Sequence, residues 1–191
     1  MTVCIFASSS SRINSEYAFA AQRLGELLAK AGIDVVFGGG GIGLMGKLAD
    51  AVLANDGKIT GVIPGFMKEE GWDHPGVTRM IVTHDMGERK KQMFALADAV
   101  VALPGGVGTL EELTEAITLK QLGLFKGSII ILNTLGFYNT LIQFLDQLAE
   151  GQFMRLEHKS MWQTASSPEE TISLLEKNEP WIHDPRSIAR I

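Results

Sequence analysis

At residues 103–112 the chain reads Leu103-Pro104-Gly105-Gly106-Val107-Gly108-Thr109-Leu110-Glu111-Glu112. An apolar run at residues 98–103 predicts a buried strand, and the apolar residues of 110–124 recur at helical spacing. A strand-to-helix turn of this kind presents backbone N–H groups at the positive end of a helix, which suits a phosphate. We expect Thr109 to cap the helix, and Glu111 and Glu112 to fall in its first turn. An ordinary turn, with acids that complement the helix dipole, accounts for the stretch equally well.

The remainder of the 191-residue chain alternates between strand and helix patterns. That alternation predicts an α/β fold, a doubly wound parallel sheet with helices on both faces. With 46% apolar residues, the chain is long enough for a sizeable core, and we expect one domain over residues 1–191. The tail from about residue 180 is expected to be loosely ordered.

Composition argues against several classes of partner. The net charge is −5 with no block of Lys and Arg, so no nucleic-acid partner is expected. No apolar run approaches the roughly 20 residues of a membrane span, and no signal-peptide pattern is present, so we expect a cytoplasmic protein. The single Cys4 and the four histidines have no metal-ligand spacing, so we expect no metal and no other cofactor.

Two further motifs follow predicted strands near the start of the chain. Four serines, residues 8–11, follow the first strand, and their hydroxyls can contact a base or sugar or simply form a polar capping loop. The glycine tract at residues 38–46 contains Gly41-x-Gly43-x-x-Gly46, the spacing of a dinucleotide fingerprint. The tract follows the second strand and lacks the expected acid about 20 residues later. We therefore expect its backbone to pack closely against a ligand or a neighbouring loop.

A loop-like segment and a basic helix start come next. Residues 65–76 carry acids and Trp72, and such a segment can cover a site. Arg89, Lys90 and Lys91 stand near the start of a helix at about residues 85–97, where cations are unfavourable. A broken local rule of this kind points to a functional site, although a solvated basic patch is the alternative.

The chain has no G-x-S-x-G nucleophile motif and no phosphate-binding G-x-x-x-x-G-K-[ST] loop. What remains for chemistry is Arg89 and the acid Glu112. Both follow strands of one sheet at the same edge, and consecutive parallel strands usually lie close together, so we expect them to face one pocket. An arginine, a phosphate cradle and an acid suit a sugar phosphate, with the acid activating water or stabilising an oxocarbenium-like centre.

These motifs together resemble those of one known family. Residues 104–112 resemble the PGGxGTxxE signature of the LONELY GUY family, cytokinin-activating phosphoribohydrolases often mislabelled lysine decarboxylases. Residues 39–46 resemble its GGGxxGLMG segment and residues 86–90 its M-x-x-R-K segment, in the same order along the chain. The resemblance runs from residue 3 to about residue 148.

The resemblance implies a Rossmann-like homodimer that hydrolyses the N-glycosidic bond of cytokinin riboside 5′-monophosphates, AMP or both. The products are a free base and ribose 5-phosphate. The family's catalytic arginine and glutamate correspond to Arg89 and Glu112. Residues implied to bind substrate or phosphate are Lys90, Gly105, Gly106, Val107, Gly108, Thr109, Glu111, Thr118 and either Glu70 or Glu69. Helices at residues 113–124 and 137–148 are expected to form the dimer face.

A non-catalytic carrier is the alternative. Molybdenum cofactor carriers are related Rossmann-like proteins with a similar glycine-rich cradle for a phosphorylated ligand. The presence of both Arg89 and Glu112 favours the enzyme, since a carrier needs neither. A lysine decarboxylase would need pyridoxal phosphate, for which the sequence has no local signature.

Overall fold

Strand and helix alternate along the described chain, which in this computed structural model comprises residues 1–177 and Trp181. The tail predicted to be loosely ordered from about residue 180 otherwise lies outside the described residues. The strands are β1 (Thr2–Phe6), β2 (Asp34–Phe37), β3 (Ile59–Pro64), β4 (Arg79–Thr83), β5 (Ala99–Ala102), β6 (Ser128–Leu132) and β7 (Gln163–Ala165). The helices are α1 (Ser15–Lys30), α2 (Gly43–Ala54), α3 (Gly65–Glu69), α4 (Met86–Leu96), α5 (Val107–Gln121), α6 (Asn139–Glu150) and α7 (Pro168–Lys177). Two 3-10 helices, Thr134–Gly136 and Leu156–Met161, flank α6.

The seven strands form one sheet in the order β4-β3-β2-β1-β5-β6-β7, and every neighbouring pair is parallel. The chain winds outward from β1 to β4, then returns through α4 and winds outward again from β5. Between β1 and β5 the direction of winding changes, and in such sheets ligands bind beside the carboxyl ends of the strands at that point. The predicted doubly wound parallel sheet is confirmed.

Helices cover both faces of the sheet, so the inner strands are apolar on both sides. Alternate residues of β1 enter different layers: Val3 and Ile5 on one face, Cys4 and Phe6 on the other. The first layer includes buried residues of α1, α2 and α7, and the second includes buried residues of α4, α5 and α6. None of the helices in residues 1–177 combines the length and apolar character needed to cross a membrane.

The start of α5 differs from the expectation. The helix begins at Val107 and its N-cap is Gly106, so Thr109 lies inside the first turn and the prediction that it caps the helix was wrong. Thr109 is buried against Gly105, where a Cβ would stand 2.1 Å from the Thr109 hydroxyl oxygen. No acid falls in the first turn, so the placement of Glu111 and Glu112 there was also wrong. Because glycine is a weak helix former, Gly106 and Gly108 made the sequence predict a later start for this helix.

Candidate active site

A cavity of about 660 Å³ opens at the carboxyl ends of β1, β2 and β3. Its polar side combines the loop after β1 with the start of α5 and three further helix residues. That side consists of Ser8, Ser9, Ser10, Arg89, Gly106, Val107, Gly108, Thr109, Glu111 and Glu112. The rest of the lining, here called the apolar side, includes Ile42, Met45, Ile63, Met67, Trp72 and Met86. The cavity therefore offers one region for charged or hydroxyl groups and another for a flat apolar group.

Arg89 is only 7% exposed, so it does not belong to a solvated basic patch. Its Nε donates to the Val62 carbonyl oxygen at 3.0 Å, and Nη2 donates to the Gly38 carbonyl oxygen at 3.3 Å. Nη1 donates to Glu112 Oε1 at 3.0 Å. The ends of β2 and β3 thus hold the guanidinium while it pairs with the acid. The planar fork of arginine fits this three-way arrangement, whereas a lysine ammonium does not.

Glu112 is equally buried, at 7% exposure. Burial raises the pKa of Glu112 above its ordinary value, because removal from water disfavours the carboxylate, while Arg89 acts in the opposite direction. An acid with a raised pKa and one fixed oxygen is suited to accept or donate a proton at the cavity wall.

The meeting of Arg89 and Glu112 was expected, but the reasoning that led to it was wrong. β4 lies at one edge of the sheet and β5 lies next to the central strand β1, with three strands between β4 and β5. Helix α4 makes the contact because it crosses back over the sheet, close to β3, β2 and β1. The long crossover, rather than strand adjacency, brings the arginine to the acid.

Lys90 and Glu111 form a second pair beside the first. Lys90 Nζ donates to Glu111 Oε1 and lies 2.8 Å from Glu115 Oε2. These hydrogen bonds raise the pKa of Lys90, so its ammonium stays charged. The lysine joins α4 to α5, and Glu111 lines the cavity. This cluster fixes the two helices that carry Arg89 and Glu112.

The start of α5 presents N–H groups to the cavity. The first backbone hydrogen bond of the helix runs from Leu110 N to Gly106 O, so the N–H groups of Val107, Gly108 and Thr109 precede it. A Cβ at Gly106 or Gly108 would meet no atom within 4 Å, so open space lies beside both. This end of the helix has the geometry of an anion site.

The glycine tract after β2 serves a different purpose. Leu44 N and Met45 N both donate to the Ser8 carbonyl oxygen, at 2.9 and 3.3 Å, so the first turn of α2 is already bonded to protein. Gly43 has φ +69°, and a Cβ there would lie 2.5 Å from the Ser9 carbonyl carbon. The expectation of close packing against a neighbouring loop is confirmed, and the dinucleotide fingerprint is not used as an anion site here.

The segment at residues 65–76 contributes to the cavity wall through Met67 and Trp72, and its first residues form α3 rather than a loop. Gly41 N donates to the Trp72 carbonyl oxygen at 2.9 Å, and His74 N donates to Gly39 O at 2.8 Å. The ring of His74 accepts from Gly76 N and pairs with Asp50 at 3.1 Å. The segment is therefore fastened to the glycine tract.

Not every residue expected at the site lies there. Glu69 and Glu70 are exposed and neither lines the cavity, which takes Met67 and Trp72 from the same segment. Thr118 is exposed and lies outside the cavity wall, with its hydroxyl donating to the Thr114 carbonyl oxygen at 2.8 Å. Gly105 does not line the cavity either; it packs against Thr109.

Apart from the segment at residues 65–76, the apolar side of the cavity was missed by the sequence analysis. Met45 lies in the glycine tract and Met86 in the segment at residues 86–90, both of which had been recognised for other residues. Their position in these motifs was the one signal that could have placed them at the cavity. Within residues 1–177 and Trp181, no group of three or more His, Cys, Asp or Glu side chains is placed to hold a metal ion.

Comparison with known proteins adds to this geometry. A family model described as "Possible lysine decarboxylase" matches residues 45–175. The cytokinin riboside 5′-monophosphate phosphoribohydrolase LOG7 of Arabidopsis thaliana is 38% identical over 178 residues, 93% of this chain and 82% of that protein. The probable cytokinin riboside 5′-monophosphate phosphoribohydrolase LOGL3 of Oryza sativa subsp. japonica is 39% identical over 95% of this chain and 85% of its own length.

Solved structures resemble the fold at lower identity. The molybdenum cofactor binding protein of Rippkaea orientalis has a TM-score of 0.70 and 22% identity, covering 92% of this chain and 95% of its own. The Moco carrier protein of Chlamydomonas reinhardtii has a TM-score of 0.71 and 20% identity with the same coverage. At this identity the likeness shows a shared Rossmann-like fold and nothing about the ligand.

Proposed function

The chain belongs to the LONELY GUY family, and from that premise we propose that it is a phosphoribohydrolase acting on nucleoside 5′-monophosphates. Its substrates would be cytokinin riboside 5′-monophosphates, AMP or both. Water would cleave the N-glycosidic bond to give the free base and ribose 5-phosphate. The relatives carry this activity in their names, and the cavity has the chemistry that it requires.

One observation carries the proposal: the buried Arg89–Glu112 pair lies in the same cavity as the open N-terminus of α5. The N–H groups of Val107, Gly108 and Thr109 would bind the 5′-phosphate. The base would lie against the apolar side formed by Met45 and Trp72. The ribose would then bridge these two regions, with its C1′ beside Glu112.

Glu112 would supply the chemistry at C1′. As the bond between C1′ and the base breaks, the bonding electrons leave with the base nitrogen, which takes up a proton from solvent. The carboxylate would stabilise the positive charge that develops on the ribose. Water then attacks C1′ and transfers a proton to Glu112, which releases that proton to solvent and returns to its carboxylate form. Arg89 would hold the acid in place, because two of its donor groups are already bound to Val62 O and Gly38 O.

Three of the expected substrate contacts are omitted from this proposal. Gly105, Thr118 and Glu70 lie outside the cavity. Lys90 is retained, with the role of holding Glu111 at the rim.

We also propose that the protein is a cytoplasmic homodimer. Exposed apolar side chains on and near α5 and α6 support a second copy on this side: Leu122, Leu124, Phe144, Phe153 and Leu156. Sedimentation should give twice the monomer mass, and Phe144→Glu should shift it toward the monomer. A wild-type protein that sediments as a monomer would contradict the homodimer.

The test of the activity is chromatographic. The protein is incubated with AMP and, separately, with isopentenyladenosine monophosphate, and free base and ribose 5-phosphate are measured. We expect Glu112→Gln to lower base release by about 1,000-fold, because it keeps the shape of the side chain but removes its charge and basicity. Glu176→Gln, on the exposed surface of α7, is the matched control.

Base release by Glu112→Gln at the wild-type rate would refute the assigned role of the acid. Binding of a nucleotide by the wild-type protein, without release of base from either substrate, would favour the carrier instead. The ratio of the two wild-type rates would identify the preferred base.

A further inference from the structure

Tyr138 is a buried polar side chain that the proposed chemistry does not use. It precedes α6, is 1% exposed, and its hydroxyl donates to the Leu103 carbonyl oxygen at 2.7 Å. Burial raises the pKa of Tyr138 above its ordinary value, so the phenol keeps its proton and remains a donor at neutral and moderately alkaline pH.

The acceptor of this hydrogen bond immediately precedes the anion-binding turn. Leu103 is fully buried, and its N–H donates to Phe6 O at 2.8 Å. Pro104 has no N–H, and its carbonyl oxygen accepts from Ser8 N at 3.2 Å. Hydrogen bonds from the β1 side thus hold one flank of the turn, while Tyr138 holds it from the side of β6.

The tyrosine is itself firmly held. Its N–H donates to Asn133 Oδ1 at 2.7 Å, and Asn133 N donates to the Ala165 carbonyl oxygen at 2.7 Å. The ring of Phe137 packs edge-on against the ring of Tyr138, with centroids 4.8 Å apart. The hydroxyl is therefore fixed relative to β6 and β7. Its hydrogen bond to Leu103 O holds Leu103 at a fixed distance from these strands.

We propose that Tyr138 is a positioning residue that sets the place of the turn at residues 104–108 and thereby aims its N–H groups at the 5′-phosphate. The inference rests on the proposed function, which assigns the phosphate to this turn. Tyr138 does not line the cavity, so it acts only through Leu103. A hydrogen bond prefers an angle above about 150° at the hydrogen and a narrow range of distances, so a shift of the turn affects phosphate binding before it affects the acid Glu112.

The experiment compares the two tyrosines of the chain. Tyr138→Phe keeps the ring and its contact with Phe137 but removes the donor to Leu103. Tyr17→Phe removes the hydroxyl of a less buried ring that also packs against Phe137, at 5.8 Å. For AMP, we expect Tyr138→Phe to raise KM about fivefold to tenfold with kcat within a factor of two, and Tyr17→Phe to change neither.

A purely structural role gives a different result. If Tyr138→Phe lowers the melting temperature but leaves KM unchanged, or lowers kcat and leaves KM alone, the inference is overturned. Asn133→Ala keeps the phenol but removes the acceptor of the Tyr138 N–H, so it is a second and milder variant. We expect it to raise KM about twofold, and an unchanged KM counts against the inference.

Inorganic phosphate separates this inference from the proposed function. Its affinity is measured by thermal shift on the wild type and on both tyrosine variants. If the wild type binds phosphate but releases no base from either nucleotide, the proposed function fails, and weaker phosphate binding by Tyr138→Phe still supports the positioning role. If the wild type neither binds phosphate nor releases base, the turn is not a phosphate site and the inference fails with it.

Discussion

Two glycine-rich turns, residues 38–46 after β2 and residues 104–108 after β5, each lead into a helix beside the same cavity. In the first turn, Ser8 O accepts hydrogen bonds from the N–H groups in the first turn of α2, and the lack of a side chain at Gly43 leaves space for the loop after β1. In the second turn, the N–H groups that open α5 face the cavity, and Gly106 and Gly108 adjoin open space. A run of glycines therefore shows that something approaches the backbone closely, but the approaching group can be protein or ligand.

Arg89 joins the two turns. It donates to Gly38 O in the first and to Glu112 on the helix that follows the second. Substitutions in the two turns should therefore have separable effects on folding, on phosphate binding and on the catalytic pair.

Among substitutions in the two turns, the largest effect on catalysis is expected from Gly38→Ala. A Cβ there would lie 1.9 Å from Arg89 Nη2, and the displaced atom is the end of a flexible side chain. We expect kcat for base release to fall about 100-fold, because displacement of a catalytic group by about 1 Å has effects of this size. The melting temperature should change by only a few degrees. Full activity in this variant would mean that the position of Arg89 does not matter for the chemistry.

A pair of variants then contrasts the two turns directly. Gly43→Ala combines φ +69° with a contact of 2.5 Å to backbone, so we expect a loss of about 3 kcal/mol in the free energy of unfolding, measured in urea. Gly108→Ala meets no atom within 4 Å and lies in a helix, so its stability should rise by roughly 0.5 to 1 kcal/mol. Its new methyl group should weaken phosphate binding about tenfold, or about 1.4 kcal/mol. Equal stability losses in both variants would contradict the contrast.

The last prediction concerns Lys120, near the other end of the helix that starts at the second turn. Lys120 is 4% exposed, its Nζ donates to Gly127 O at 2.7 Å, and burial lowers its pKa to about 8. The unfolded chain then binds more protons than the folded chain between about pH 8 and the ordinary lysine pKa near 10.4, so stability rises with pH in this window.

We expect the free energy of unfolding to rise by about 1 to 2 kcal/mol between pH 7.5 and 9.5. Urea titrations at several pH values measure it, and Lys120→Met should remove the rise. A falling or flat profile in the wild type would show that the amine is not desolvated as the structure indicates.

The sequence predicted the sheet, the separate roles of its glycine tracts and the meeting of Arg89 with Glu112. The first two follow from local patterns, such as apolar periodicity and glycines placed after strands, whereas the third was reached through an assumed strand adjacency that the sheet does not have. The strand order was not predictable in the same way, because spacing along the chain does not say over which strands α4 crosses. The family resemblance also implied that Thr118 and Glu70 or Glu69 bind substrate, but none of them lines this cavity. Tyr138 lies in no recognised motif, and only the three-dimensional structure reveals the hydrogen bond from its hydroxyl to Leu103 O.

The buried pair of Arg89 and Glu112 also bears on how the molecule folds. Arg89 lies on the helix that closes the β1–β4 half of the sheet, and Glu112 on the first helix of the β5–β7 half. A partly folded state with only one half formed would leave one of these charges without its partner, which is costly wherever water is excluded. Such states should therefore be sparsely populated, so the two halves should unfold as one cooperative unit, with similar hydrogen-exchange protection in α4 and α5.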